Sequence, residues 1–231
     1  MRIAKYISNS GFCSRREAEK LILNGKVYLN NVLCVKPNIN VNLNDKISIE
    51  KKSIKLDNNI KLWKLYKPSK TICTNKDPQK RKTIFDILPN DFPRVISVGR
   101  LDFMSEGLLL LTNNGDYARK LELPSSNVLR VYRLCLKGDI STNMIKQINR
   151  NISINGINYK KISAKIEKLQ NPYTWVTFKL KEGKNREIRN ICKFFQWNII
   201  KLIRIQYSTV KLSKQKMGEI QEVKELPIKL C

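Results

Sequence analysis

The chain contains no histidine at all. That absence removes the commonest general base at neutral pH, and with it every Ser-His or Cys-His route to nucleophilic catalysis. Cysteine is present but never clustered: Cys13, Cys34, Cys73, Cys135, Cys192 and Cys231 stand far apart, with no C-x-x-C pair. A tetrahedral metal site needs grouped His or Cys ligands, so no metal is expected. Scattered thiols in apolar surroundings suit reduced, buried side chains in a reducing cytoplasm. No apolar run is long enough to span a bilayer, and Met1 leads directly into patterned sequence without a signal-peptide core. A cytoplasmic location without membrane association is therefore expected. Acidic residues are the last scarcity, 19 against 45 basic ones, for a formal net charge of +26 over 231 residues. Whatever chemistry the chain performs must rest on carboxylate, tyrosine, lysine or arginine groups.

A field this positive predicts a polyanionic partner, most simply nucleic acid. General DNA binding has no support from a helix-turn-helix or zinc-finger signature. Hydrophobic residues make up 42% of the chain, enough for a folded core. The length suits one ordinary domain with a small module. Residues 53–61 have little apolar content and alternating charge, which places a linker there, between a module over 1–52 and a domain over 62–231.

In the module, Ile3 to Ile7 read as a short helix ended by Asn9, Ser10 and Gly11. Ser14-Arg15-Arg16-Glu17 is a capping box opening a second helix, whose Ala18, Leu21 and Ile22 fall at core spacing before Gly25. The other side of that helix carries Arg15, Arg16 and Lys20, which in isolation reads as a solvated face. Asn30-Asn31 joins Val27–Leu29 to Val32–Val35 as a hairpin, and Lys46 to Glu50 is a further short strand.

The centre of the larger domain is VGRLDFMSEGLLLLTNNG, Val98 to Gly115. Leu108 to Leu111 form a continuous apolar run, the pattern of a strand buried on both faces. Asp102 thus falls on a tight loop between two core elements, beside Arg100. Loops held by a scaffold are where chemistry sits, but aspartate is also an ordinary turn residue, and spacing leaves both readings open. Around this centre, Leu62 to Tyr66 read as a strand, Lys76 to Lys82 as a basic loop, Thr83 to Leu88 as a helical turn and Asp116 to Leu121 as a helix. Leu129 to Lys137 alternate as a strand carrying Tyr132, which on pattern alone is equally a core aromatic. Thr142 to Arg150 read as a helix, Asn155-Gly156 as a turn between short strands, and Ile162–Ile166 with Trp175–Lys181 as paired strands. Glu182-Gly183-Lys184-Asn185-Arg186-Glu187-Ile188-Arg189 runs through a glycine turn into a helix with Ile188, Ile191, Cys192 and Phe195 on one face; Ile199 to Tyr207 is a strand.

Five stretches carry a resemblance. GRLDFMSEGLLLLTNNG is similar to the catalytic motif of the RsuA/RluB branch of RNA pseudouridine synthases. EGKNREIR resembles the second diagnostic element of that family, Leu202-Ile203-Arg204-Ile205 continues the likeness, and Tyr66-Lys67-Pro68 resembles the segment that opens its catalytic domain. The Asn-Arg-Glu-Ile-Arg wording is most like the RluB type, which acts on large-subunit ribosomal RNA. The first fifty residues, KYISNSGFCSRREAEKLILNGKVYLNN in particular, resemble the S4 RNA-binding domain. Two departures stand out: Ser105 replaces a common Thr while keeping the hydroxyl, and Tyr66 replaces an Asn.

The resemblance implies an α+β fold, with a mainly antiparallel mixed sheet flanked by short helices behind an N-terminal S4 domain. It implies that uridine in ribosomal RNA is isomerised to pseudouridine, in large-subunit (23S) rather than small-subunit (16S) RNA, free or within pre-ribosomal particles, by a monomer without cofactor. Asp102 is expected as the catalytic carboxylate, Arg189 as its partner and Tyr132 as the aromatic that stacks on the target base. Expected RNA contacts are Arg15, Arg16 and Lys20 on the S4 domain, with Arg100, Arg186 and Arg204; Arg100 could hold the loop or a phosphate. A protein that binds RNA for ribosome assembly and has lost catalysis is the competing reading, and the joint presence of Asp102, Tyr132 and Arg189 argues against it.

Overall fold

The computed structural model describes residues 1–57, 59–170 and 172–228. Cys231, expected as a reduced thiol, lies outside them; Cys13, Cys34, Cys73, Cys135 and Cys192 are free. Packing divides the chain into two units, one of residues 1–61 with 90–96 and 112–115, the other of 62–89 and 97–111 with the chain from Asp116 onward.

The first unit packs helices α1 (Ile3–Asn9) and α2 (Arg15–Leu23) on a sheet of β1 (Val27–Leu29), β2 (Val32–Cys34), β3 (Ile47–Ile49) and β4 (Lys52–Ile54), ordered β2-β1-β3-β4. The capping box forms as the sequence requires: Glu17 N–H donates to Ser14 Oγ at 3.2 Å and Ser14 N–H to Glu17 Oε2 at 3.0 Å. Asn30 and Asn31 both adopt positive φ, the conformation a two-residue hairpin turn demands. Ile3, Ile7, Ala18, Ile22, Val27, Ile47 and Ile49 close the core. Ser53 and Ile54 correct the expected linker boundary. They pair with Ser48 and Ile47, and Ile54 is buried in the same core. A three-residue strand with one inward side chain leaves too faint an alternation to read.

The second unit is built on a nine-stranded mixed sheet. Its strands are β5 (Leu62–Lys67), β6 (Ile96–Val98), β7 (Glu106–Thr112), β8 (Arg130–Lys137), β11 (Ser163–Gln170), β12 (Tyr173–Leu180), β13 (Asn198–Tyr207), β14 (Val210–Lys211) and β15 (Ile220–Glu222). The main path runs β11-β12-β8-β13-β7-β5-β15; β6 joins β7 and β14 joins β13. A separate two-stranded ribbon pairs β9 (Ser153–Ile154) with β10 (Ile157–Asn158). The helices are α3 (Gly115–Glu122), α4 (Thr142–Ile148) and α5 (Glu187–Phe194). Every residue of β7 is buried, as the run of leucines predicts. Toward the other edge only one sheet face is covered: Leu134, Leu136, Val176, Phe178 and Leu202 pack with Ile145 and Ile148 of α4 and Ile188 and Ile191 of α5. The molecule is α+β, with a mainly antiparallel mixed sheet. Among the described residues no helix is long and apolar enough to cross a membrane.

Candidate active site

Asp102 lies in the loop between β6 and β7, and local chemistry fixes the shape of that loop. Gly99 enters it at φ +66, a left-handed backbone that glycine adopts without a Cβ clash, and its N–H donates to Glu122 Oε1 at 2.6 Å. Ser105 N–H closes the turn onto the Asp102 carbonyl at 3.0 Å. Under the turn lies Lys67, the last residue of β5, wholly buried. Its Nζ donates to the carbonyls of Pro68, Asp102 and Ser105 at 3.0, 3.2 and 2.7 Å. Those three bonds match the three donors of an ammonium group. Burial pushes the Lys67 amine down to about 8, against the opposing pull of Cys73 and Asp102.

The loop is brought to α5 by a close approach of strands. β7 and β13 run parallel, with Arg204 opposite Gly107. A Cβ on Gly107, at φ +102, would stand 2.4 Å from the Arg204 carbonyl oxygen, so only glycine lets the two backbones meet there.

α5 then supplies the cations. Arg189 Nε donates to Asp102 Oδ2 at 3.0 Å, and the Nη2 of the same guanidinium donates to Ser105 Oγ at 2.9 Å. One planar group therefore holds both ends of the turn, which a lysine's point charge would not do. Arg186 adds a second, longer contact, Nη1 to Asp102 Oδ2 at 3.7 Å. Its backbone is left-handed, φ +53, unusual for a residue other than glycine. The side chain of Arg186 is 54% exposed against 18% for Arg189, which makes Arg189 the structural partner and Arg186 the group open to solvent.

The turn before α5 is held by carboxyls. Lys184 N–H donates to Glu187 Oε2 at 3.2 Å, and Lys160 N–H donates to Glu182 Oε1 at 2.7 Å. Glu182 and Glu187 are both buried. Burial, followed by the neighbouring Glu182, pushes Glu187 up to about 7. Near neutral pH this carboxyl therefore divides between its neutral and charged forms.

These groups surround a pocket of about 300 Å³ within the second unit. Asp102, Arg189 and Arg186 form one side. Tyr132 of β8, half-buried, stands with Leu180 and Leu202 on another. The floor is a stack: the guanidinium carbons of Arg130 and Arg204 lie 4.9 and 5.0 Å from the Tyr207 ring centroid. Arg130 Nη2 donates to the Tyr207 hydroxyl at 3.1 Å, which donates in turn to the Leu121 carbonyl at 2.9 Å. With Arg100 and Lys184 also lining it, the pocket is cationic around a central carboxylate.

The structure thus brings Asp102, Tyr132, Arg189, Arg186, Arg100 and Arg204 together at one pocket. Arg204 is a correction to the expected RNA contacts. It is 2% exposed, and its Nε donates to the Leu108 carbonyl at 2.7 Å, so it is framework beneath the pocket and not a surface cation. Arg100 is exposed at the pocket rim. Arg15, Arg16 and Lys20 are exposed on α2, with Arg15 Nε 3.7 Å from Glu19. Sequence reasoning gave no role to Lys67, Glu187 or Arg130. The hydroxyl kept at Ser105 was a legible hint. Lys67 and Glu187 fall within the resembling stretches, but nothing in their local sequence marks them as buried.

A carboxylate held by arginine beside an aromatic wall, in a cationic pocket on a mixed sheet, suits chemistry on a polyanionic ligand such as nucleic acid. The sequence model of the RNA pseudouridylate synthase family matches residues 61–194, and that of the S4 domain matches residues 1–47. An "uncharacterized RNA pseudouridine synthase" of Rickettsia prowazekii (strain Madrid E) is 45% identical over 222 residues, covering 96% of this chain and 94% of that protein. The "ribosomal large subunit pseudouridine synthase B" of Buchnera aphidicola subsp. Schizaphis graminum is 37% identical over 223 residues, covering 92% and 86%. A crystal structure described as pseudouridylate synthase superposes with a TM-score of 0.67 at 22% identity, covering 97% of this chain and 96% of that one, and shares the fold. The chain belongs to the RNA pseudouridine synthase family and carries an S4 RNA-binding domain; it is an isomerase acting on RNA.

Proposed function

We propose that the chain isomerises a uridine of ribosomal RNA, in the large subunit, with Asp102 as the catalytic carboxylate. The carrying observation is the 3.0 Å contact of Arg189 Nε with Asp102 Oδ2 in a pocket also lined by Tyr132. The large-subunit assignment is supported by the Buchnera proteins named ribosomal large subunit pseudouridine synthase B, 34–37% identical over 92–96% of this chain.

Isomerisation breaks the N1–C1′ bond of uridine, turns the base, joins C5 to C1′ and moves the C5 proton to solvent as N1 gains one. Asp102 acts on the sugar as nucleophile or as base, and either role needs it ionised. The Arg189 guanidinium pairs with that carboxylate and keeps its own proton throughout. A stacked uridine is out of reach, so it is flipped into the pocket against Tyr132. Arg100 and Arg186, exposed at the rim, bind the flanking phosphates, while Arg15, Arg16 and Lys20 of the S4 domain dock structured RNA. The enzyme works in the cytoplasm as a monomer, free of metal and cofactor, with an S4 domain that includes β4 and ends near residue 54 and a catalytic domain beginning at 62.

The test is to map pseudouridine in ribosomal RNA from cells with and without this chain. One or a few sites in large-subunit RNA should revert to uridine. An unchanged map in both subunits contradicts the proposal, and a loss confined to small-subunit RNA overturns the subunit assignment alone.

A further inference from the structure

The sheet of the second unit has a side that α4 and α5 do not cover. Over β8, β11, β12 and β13 the inward residues, among them Leu134, Leu136, Val176, Phe178 and Leu202, pack under α4 and α5. Tyr132 and Arg130, which line the pocket, alternate in step with the β8 members of that set. The alternate residues face the opposite way. Cross-strand register sets them in rows: Ile203, Arg133, Thr177 and Lys165; Lys201, Cys135, Trp175 and Lys168; Lys137 and Tyr173; Lys179 and Ser163. Contacts confirm the shared face, since the Arg133 guanidinium lies 4.5 Å over the Trp175 ring and its Nε meets Glu167 Oε2 at 2.6 Å.

An antiparallel sheet with one solvated face needs no partner, but such a face carries charges of both signs when it only meets water. This one does not. Arg133, Lys137, Lys165, Lys168, Lys179 and Lys201 are all exposed there, against the single carboxylate of Glu167. Glu167 is already engaged by Arg133, which leaves five lysines without an ion pair among the described residues. By strand spacing and rise the lysines span about 14 by 20 Å. Between them Tyr173 is 41% exposed, and Trp175 is half-buried beneath Arg133.

We propose that this rear face of the catalytic sheet is a second RNA-binding surface, gripping the phosphate backbone of an RNA segment distinct from the one whose uridine enters the pocket. The charge is complementary to a polyanion, and the rows of lysine across a flat sheet match backbone contact without base readout. Because the face and the pocket lie on opposite sides of the sheet, the nucleotides flanking the target cannot reach it. The surface therefore favours a large folded RNA over a short fragment. This rests on the ribosomal RNA reading above only for the choice of probe, and binding is measured without turnover, so the two can fail separately.

The test variant replaces Lys137, Lys165, Lys179 and Lys201 by Gln together; a control replaces Lys146, Lys214, Lys216 and Lys224, also exposed, with the same loss of charge. Thermal unfolding checks that each folds. Affinity is measured across a salt series for a full-length large-subunit ribosomal RNA transcript and for a twelve-residue oligouridine of about the size that one site holds. The rear-face variant should lose about tenfold or more in affinity for the transcript, with a salt slope shallower by about 3, while oligouridine binding and the control variant change by less than about twofold. A second readout is fluorescence, since Trp63 and Trp197 are buried and Trp175 is not: the transcript should quench wild type and spare Trp175→Phe. Equal losses in the control, equal losses on oligouridine, or no loss at all would each overturn the proposal. So would a variant that keeps full RNA affinity but no longer binds vesicles containing phosphatidylserine.

Discussion

Asp102, Arg189 and Ser105 form the smallest unit of the candidate active site, since one guanidinium spans a carboxylate and a hydroxyl that close the same turn. Arg189→Met should therefore abolish most turnover and also lower stability, because it strips Asp102 and Ser105 of their partner at once. Assay of pseudouridine formation with a thermal melt on the same sample checks both effects; normal activity would remove Arg189 from the mechanism. Glu187 gives a prediction of different kind. Its carboxyl is raised from 4.5 to about 7, so between those pH values the folded protein holds a proton that the unfolded chain has released. Stability from this group is full below pH 4.5 and is lost as pH rises through 7. Glu187→Gln copies the protonated form. The variant should melt a few degrees above wild type at pH 8 and level with it near pH 4.5, and an equal difference at both pH values would contradict the assignment.

At the scale of elements, the critical joint is the contact between β7 and β13. Gly107→Ala should cost about 3 kcal/mol or more, because its Cβ would press on the Arg204 backbone and its positive φ suits only glycine. A denaturation midpoint near that of wild type would show that the strands can part without loss. Much of this scale was legible in the sequence. The capping box at Ser14, the Asn30-Asn31 hairpin, the buried leucines of β7 and the apolar stripe of α5 are local signals, each written in adjacent or helically spaced residues. The illegible parts depend on distant partners. β4 is a strand only because β3 pairs with it, and β15 only because Leu65 and Lys64 of β5 receive it. The same holds at the site. Asp102 and Arg189 are 87 residues apart, and resemblance rather than spacing joined them. Nothing local tells that Lys67 and Arg204 are buried while Arg100 and Arg186 are exposed.

For the whole molecule, the excess of 45 basic over 19 acidic residues makes affinity for RNA a collective property. Counterion release makes that affinity steeply dependent on salt. Replacing Arg15, Arg16 and Lys20 by Gln should weaken binding of structured RNA and flatten the salt slope while the catalytic domain melts as before; an unchanged slope would dismiss α2 as a docking face. Catalysis, on the proposed mechanism, rests by contrast on one carboxylate. The most direct measurement compares wild type with Asp102→Asn for both pseudouridine formation and RNA affinity on the same ribosomal RNA. Asn keeps the size and much of the hydrogen bonding of the loop, and one charge hardly alters so large a field. Turnover should fall below detection with affinity unchanged or slightly tighter. Substantial residual turnover in Asp102→Asn would contradict the account at its centre.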